Sequence, residues 1–175
     1  PLSARRDFVA ANTIVDMMNG LNDPRRAAYF TALEDGSFKG GTYGFSNVYA
    51  ANSTVSKKVA APTFPGNFLD AAEVNFLLAE AVERGFISGN AEEFYNAAIS
   101  ASMDYWGATG TADYLAQAGV SYATAGDTWQ QKIGNQKWLA MYNRGFDAWT
   151  DWRRLDFPAL VKPDAQGVPE IPKRL

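Results

Sequence analysis

The chain contains no cysteine and no histidine. Without cysteine there are no disulfides, no thiolate zinc sites and no thiol nucleophile. Without histidine there is no Ser-His-Asp triad, no His-ligated metal and no His general base within this chain. Any chemistry would fall to carboxylates, lysine, tyrosine or an oxygen-ligated cation. No run approaches the roughly 20 apolar residues of a membrane helix, and no signal peptide opens the sequence. Pro1 is not a natural start, however, and the closing IPKRL at 171–175 stops without a terminating element. The expectation is a fragment whose N-terminal part lies elsewhere. A strong charge of one sign is also lacking. The net charge is −3 with lysine and arginine scattered, which leaves no electrostatic footprint for nucleic acid.

What is present is apolar and aromatic. Of the 175 residues, 47% are hydrophobic and 14% aromatic, with five tryptophans. That length and composition suit a single domain, 1–175, with a real core. The aromatic share asks for a large core or an aromatic binding surface. From Ser3 to Gly20 the spacing predicts a helix, with Phe8, Ala11, Val15 and Met18 on one face and Ile14 and Met17 beside it. Gly20 and the Asn22-Asp23-Pro24 group stop it. A short turn or helix follows from Asp23, with Tyr29, Phe30 and Leu33 apolar. Residues 35–68 are rich in Gly, Ser, Thr and Asn and show no helical period. They read as a long irregular loop that could hold a short strand pair. Loops of this length in compact domains are uncommon and often functional.

The stretch from Asp70 to Gly107 reads as two helices joined by a turn. Asp70 with Glu73, and Asn90 with Glu93, have the spacing of capping boxes. Gly85 and Gly107 stand where a left-handed C-terminal glycine belongs. Val74, Leu77, Leu78, Ala81 and Val82 fall on one face of the first helix. Tyr95, Ala98, Ile99, Ser102 and Trp106 fall on one face of the second. The hairpin also fits one register of the tetratricopeptide repeat. Leu78-Ala79 take its Leu-Gly slot, and Ala91, Tyr95 and Ala98 its later small and aromatic slots. One hairpin cannot bury its apolar face alone, so partners must lie elsewhere in the fold. A short helix is expected over 111–117. A last long helix is expected over 127–155, capped by Asp127 with Gln130 three residues on. Gly134 and Gly145 each cost such a helix about 1 kcal/mol, and close backbone approach would explain them. Pro158 ends the element. From Lys162 the prolines predict an extended tail. The fold class is therefore mainly α, with tetratricopeptide-like hairpins and one long irregular loop.

Several motifs, taken together in order and spacing, resemble a known family. EVNFLLAEAVERG at 73–85, FYNAAISASMDYWG at 94–107, QKWLAM at 136–141 and AWTDWRRLDFPAL at 148–160 look like the C-terminal half of SusD/RagB proteins. LNDPR at 21–25 and IPKRL at 171–175 also fit. The match is weakest at 36–66. The resemblance implies a surface-exposed outer-membrane lipoprotein of the kind found in Bacteroidetes polysaccharide-utilisation systems. Such proteins bind glycans or other nutrients without catalysis and pass them to a SusC-like TonB-dependent transporter. It implies no cofactor, and a membrane link only through a lipid anchor absent from this chain.

Sugars are held by aromatic faces that stack on C–H surfaces and by polar side chains that bond hydroxyls, usually on loops. Phe38, Tyr43, Phe45, Asn47, Tyr49 and Asn52 offer that chemistry as ligand-binding candidates. The bland alternative is that these side chains plug the loop onto the helices. Trp106, Trp129, Trp138, Trp149 and Trp152 sit at helical spacing and read first as packing. The Asp151-Trp152-Arg153-Arg154 group reads as an arginine–carboxylate network, with an anion site as the alternative. Glu73 and Glu80 stand about 10 Å apart by helix rise, near the spacing of inverting glycosidases, but helix-start placement explains Glu73 as well. Asp35-Gly36-Ser37 reads as a turn, since it lacks the ligand density of a calcium loop. No catalytic and no metal residue is assigned. Three functions stay open: a nutrient-binding module, an α-helical glycosidase or lyase fragment, and a tetratricopeptide-type protein scaffold.

Overall fold

The structure is a computed structural model that describes residues 6–160 and 162–163. The described residues are mainly helical, with one two-stranded sheet. They gather into two compact units, one built on the residues up to Gly66 and one on Asn67–Ala159. Among the described residues no helix is long and apolar enough to cross a membrane.

The first unit holds α1 (Asn12–Gly20), α2 (Arg26–Tyr29), β1 (Phe30–Thr31), a 3-10 turn (Tyr49–Ala51) and β2 (Thr54–Val55). The strands pair antiparallel, Phe30 against Val55 and Thr31 against Thr54. α1 buries Val15 and Met18, as its spacing requires. It does not start at Ser3. Residues 3–5 lie outside the described residues, and 6–10 are not helical. The cause is competition for backbone bonds. The Ala10 N–H donates to the Ser53 carbonyl, and the Asn12 N–H to that of Gly41, both at 2.8 Å. Gly41 in turn donates to the Ala10 carbonyl at 2.8 Å. Partners distant in sequence thus hold the segment extended. Residues 35–68 form the expected irregular loop, broken only by the 3-10 turn and β2. The strand pair is real, but its first strand lies before the loop. At the end of α1, Asp23 and Arg25 are fully buried and face each other as a fork, with guanidinium–carboxylate bonds of 2.6 and 2.9 Å.

The second unit holds α3 (Ala71–Glu83), α4 (Ala91–Trp106), α5 (Thr111–Leu115), α6 (Trp129–Ala140) and α7 (Gly145–Leu155). α3 packs on α4 and α6, and α6 packs on α7. Asp70 caps α3 by accepting from the Glu73 N–H at 2.8 Å, and Gly107 closes α4 at φ 70°. The boxes are only half made. Glu73 turns instead to Arg144, and Asn90 accepts from Glu92 N–H at 3.0 Å rather than from Glu93. The buried face of α4 is the expected one. That of α3 is not: Ala72, Phe76, Ala79 and Glu80 are buried, while Val74 and Leu77 are exposed. α3 is apolar around most of its circumference, so period alone did not fix its phase.

The helix expected over 127–155 is two helices. Thr128, not Asp127, caps the first by accepting from the Gln131 N–H at 3.2 Å. The break lies at residues 141–144. Arg144 leaves helical geometry at φ −132°, ψ 66°, and its buried guanidinium bonds Glu73 at 2.6 Å and Asp70 at 2.9 Å. Gly145 then opens α7 with open space where a Cβ would stand, so close approach does not explain it. Gly134 is a close approach: a Cβ there would stand 2.8 Å from that of Phe157. The tail expected to run extended from Lys162 lies, apart from residues 162–163, outside the described residues.

The two glycines separate cleanly by mutation. Gly134→Ala should destabilise by about 1–3 kcal/mol through overpacking. Gly145→Ala should be neutral or stabilising by up to about 1 kcal/mol. Urea unfolding of both variants measures the contrast. Asp23→Ala removes the carboxylate fork from the buried Arg25 charge and should cost about 3–5 kcal/mol in the same assay.

Candidate functional site

A cleft of about 280 Å³ opens in the first unit, between the extended segment 6–11 and the loop 41–47. Its volume falls just below the roughly 300–1,000 Å³ of ligand pockets. The two walls meet at Gly41. A Cβ at that position would lie 2.6 Å from Val9 Cγ2 and 2.7 Å from Asn47 Cγ. Only glycine lets the two segments approach this closely.

The loop wall is held by one side chain. Asn47 Oδ1 accepts from the Thr42 N–H at 2.9 Å, and its Nδ2 donates to the carbonyls of Thr42 at 2.8 Å and Phe45 at 2.9 Å. Asn12 Oδ1 accepts from the Tyr43 N–H at 3.3 Å. These bonds fix the backbone that carries Tyr43 and Phe45. Phe45 is 51% exposed on one wall and Phe8 60% exposed on the other. Large apolar rings left open beside a cavity are what stacking on a ligand requires.

The structure therefore brings Tyr43, Phe45 and Asn47 together at the cleft, while Phe38, Tyr49 and Asn52 do not line it. Phe38 lies half-buried under the Arg26 guanidinium, 5.6 Å from its ring centre, and Asn19 bonds its carbonyl. Asn52 is buried and donates to the Val48 carbonyl at 2.8 Å. Tyr49 sits in the 3-10 turn. The sequence reading missed Arg6, Asp7, Phe8 and Val9 as lining residues because it wound them into a helix. The adjacent pair Gly40-Gly41 was the available signal, since both positions exclude a Cβ.

A second cleft, of about 410 Å³, lies in the second unit beside Glu83, Asn90, Glu92 and Tyr122. Its one aromatic ring is already occupied. Tyr95 packs 5.0 Å from Tyr122, Lys132 lies 4.9 Å over it, and its hydroxyl donates to Glu83 at 2.6 Å. Burial, then the Glu83 carboxylate, pushes the Tyr122 pKa up. The larger cavity thus has no free aromatic face.

The carboxylates weighed for hydrolysis are engaged. Glu73 pairs with Arg144, and Glu80 with Arg154 and Arg84. Burial raises the Glu73 pKa against the pull of Arg144. At Glu80 burial also opposes the charge, but hydrogen bonds from Arg154 and Arg84 outweigh it and hold the pKa below 4.5. The 151–154 group is an ion network as expected: Asp151 takes Arg154 and Lys137, each at 2.7 Å. Trp106 and Trp152 are buried, Trp129 and Trp138 half-buried, and Trp149 42% exposed. Asp35 and Ser37 close a turn, with Ser37 donating to Asp35 at 2.6 Å. Among the described residues no group of carboxylates is placed to hold a metal ion.

A SusD-like family profile described as "Starch-binding associating with outer membrane" matches residues 1–175. The chain belongs to this SusD-like family. No curated protein matches it. Solved SusD homologues do. One from Bacteroides vulgatus superposes with a TM-score of 0.82 at 25% identity, covering 95% of this chain and 41% of that one. A chitin-binding SusD homologue from Flavobacterium johnsoniae gives 0.81 at 28%, with 95% and 41% covered. One from Bacteroides uniformis gives 0.75 at 30%, with 90% and 38% covered. The chain thus spans about two-fifths of the length of these SusD homologues. Its tetratricopeptide-like helical fold is theirs.

Two consequences can be measured. Asn47→Ala removes the three bonds that its side chain makes to the loop backbone, and amide exchange at Thr42 should quicken by about ten-fold or more. The Glu80 pKa lies below its unfolded value, so its stabilising contribution is full above about pH 4.5 and is lost as pH falls through the folded pKa. Glu80→Gln should flatten the stability–pH curve in that acid window, as followed by urea titration.

Proposed function

We propose that this chain contributes to a non-catalytic glycan-binding protein, with the cleft between residues 6–11 and 41–47 as its contact for oligosaccharide. The observation that carries the reading is the pair of open aromatic faces, Phe8 and Phe45, across a cavity in a SusD-like chain. Tyr43 adds a third ring, and Asn47 holds the loop rather than bonding the ligand. The family description and a chitin-binding relative support a glycan as the ligand class. Handover to a SusC-like TonB-dependent transporter, and display at the cell surface on a lipid anchor, complete the proposal.

Binding without turnover is favoured by the fate of the carboxylates. Glu73 and Glu80 are held by arginines, and neither lines either cleft described above. Incubation with a panel of oligosaccharides tests both halves. Saturable binding by calorimetry is expected, with no reducing ends released. Tyr43→Ala and Phe45→Ala should each weaken it about three- to ten-fold, from the roughly 0.5–1.5 kcal/mol of a stacking contact. Release of reducing ends that is lost in Glu73→Gln or Glu80→Gln would show a glycosidase instead.

A further inference from the structure

We propose that this cleft selects an anionic saccharide, with Arg6 as the residue that reads its charge. The inference rests on the assignment of the cleft to glycan binding. Arg6 lines the same cavity as Phe8, Tyr43 and Phe45. Its side chain is exposed, and among the described residues it makes no hydrogen bond and no ion pair. Asp7 also lines the cavity, but it already interacts within the protein. The other described arginines of this unit are spent: Arg25 on Asp23, and Arg26 on Asn19 and the Asp23 carbonyl.

The backbone adds an independent mark. Arg6 sits at φ 55°, in the left-handed region that a bulky residue rarely adopts. Such conformations persist where the surroundings hold them, and they cluster at ligand clamps. Here the bonds of Ala10 and Asn12 to Ser53 and Gly41 fix the segment a few residues downstream.

The chemistry of the two halves is complementary. A guanidinium offers a planar fork of N–H donors that fits a carboxylate or a sulfate through two parallel bonds. The aromatic faces beside it accept the C–H surface of a ring. A sugar carrying an acidic group uses both; a neutral sugar uses only the rings. The whole chain is acidic at net −3, so long-range steering does not attract an anion. The recognition is local, and salt should weaken it.

The test is calorimetric titration of the protein with three trisaccharides of one linkage: neutral, carboxylated and sulfated. The acidic forms are expected to bind about ten-fold or more tighter than the neutral one at low salt. Arg6→Gln should weaken binding of the acidic forms about ten-fold or more and bring it to the level of the neutral form. Arg6→Gly, which accepts φ 55° freely, should do the same, separating charge from backbone. Comparison of the two acidic arms shows which anion the fork prefers. Equal affinity for neutral and acidic forms overturns this inference and leaves the glycan site standing. So does an equal loss for both forms in Arg6→Gln. Binding of none of the three overturns the glycan assignment and this inference with it.

Discussion

The first unit depends on a missing side chain. At Gly41 the loop backbone comes so close to Val9 and Asn47 that a single carbon would collide with both. That contact lets Gly41 exchange hydrogen bonds with Ala10 and Asn12, and those bonds draw residues 6–10 out of a helix. Once extended, the segment turns Phe8 outward, and the cleft exists. The tightness of the backbone and the openness of the aromatic rings are therefore two sides of one arrangement. Polar residues of the loop serve as its framework, and the Phe8 and Phe45 rings are left exposed.

The second unit is governed by charge. Arg144 and Lys137 are almost wholly buried, and each faces a carboxylate. Asp70 and Glu73 at the start of α3 take Arg144, while Glu80 takes Arg154 from α7 and Arg84, the residue that follows α3. Buried charges paired in this way add less stability than their Coulomb attraction suggests, because desolvation offsets it. They do fix geometry, since a slipped helix would strand an ion. Arg144, at the break between α6 and α7, bridges both carboxylates.

What was legible in the sequence was what local chemistry decides. The caps at Asp70 and Asn90, the αL glycine at 107, the buried face of α4 and the irregular loop all follow from neighbouring residues. The misreadings share the opposite cause. At the break between α6 and α7, Arg144 bonds partners 71 and 74 residues away. Residues 6–10 are extended because of bonds to residues 41 and 53. The face of α3 was misjudged because apolar residues surround it and the decisive buried group is a glutamate, Glu80. In the cleft, loop composition pointed to Tyr43, Phe45 and Asn47. It could not reveal Phe8 or Arg6, which enter only through a long-range pairing.

The proposed glycan contact is the cleft of the first unit. Amide chemical-shift mapping of the labelled protein during titration with an oligosaccharide tests this most directly. The account predicts perturbations concentrated at residues 6–12 and 41–47, with Glu83, Glu92 and Tyr122 unmoved. Perturbations centred on those three residues, with 41–47 silent, would contradict it.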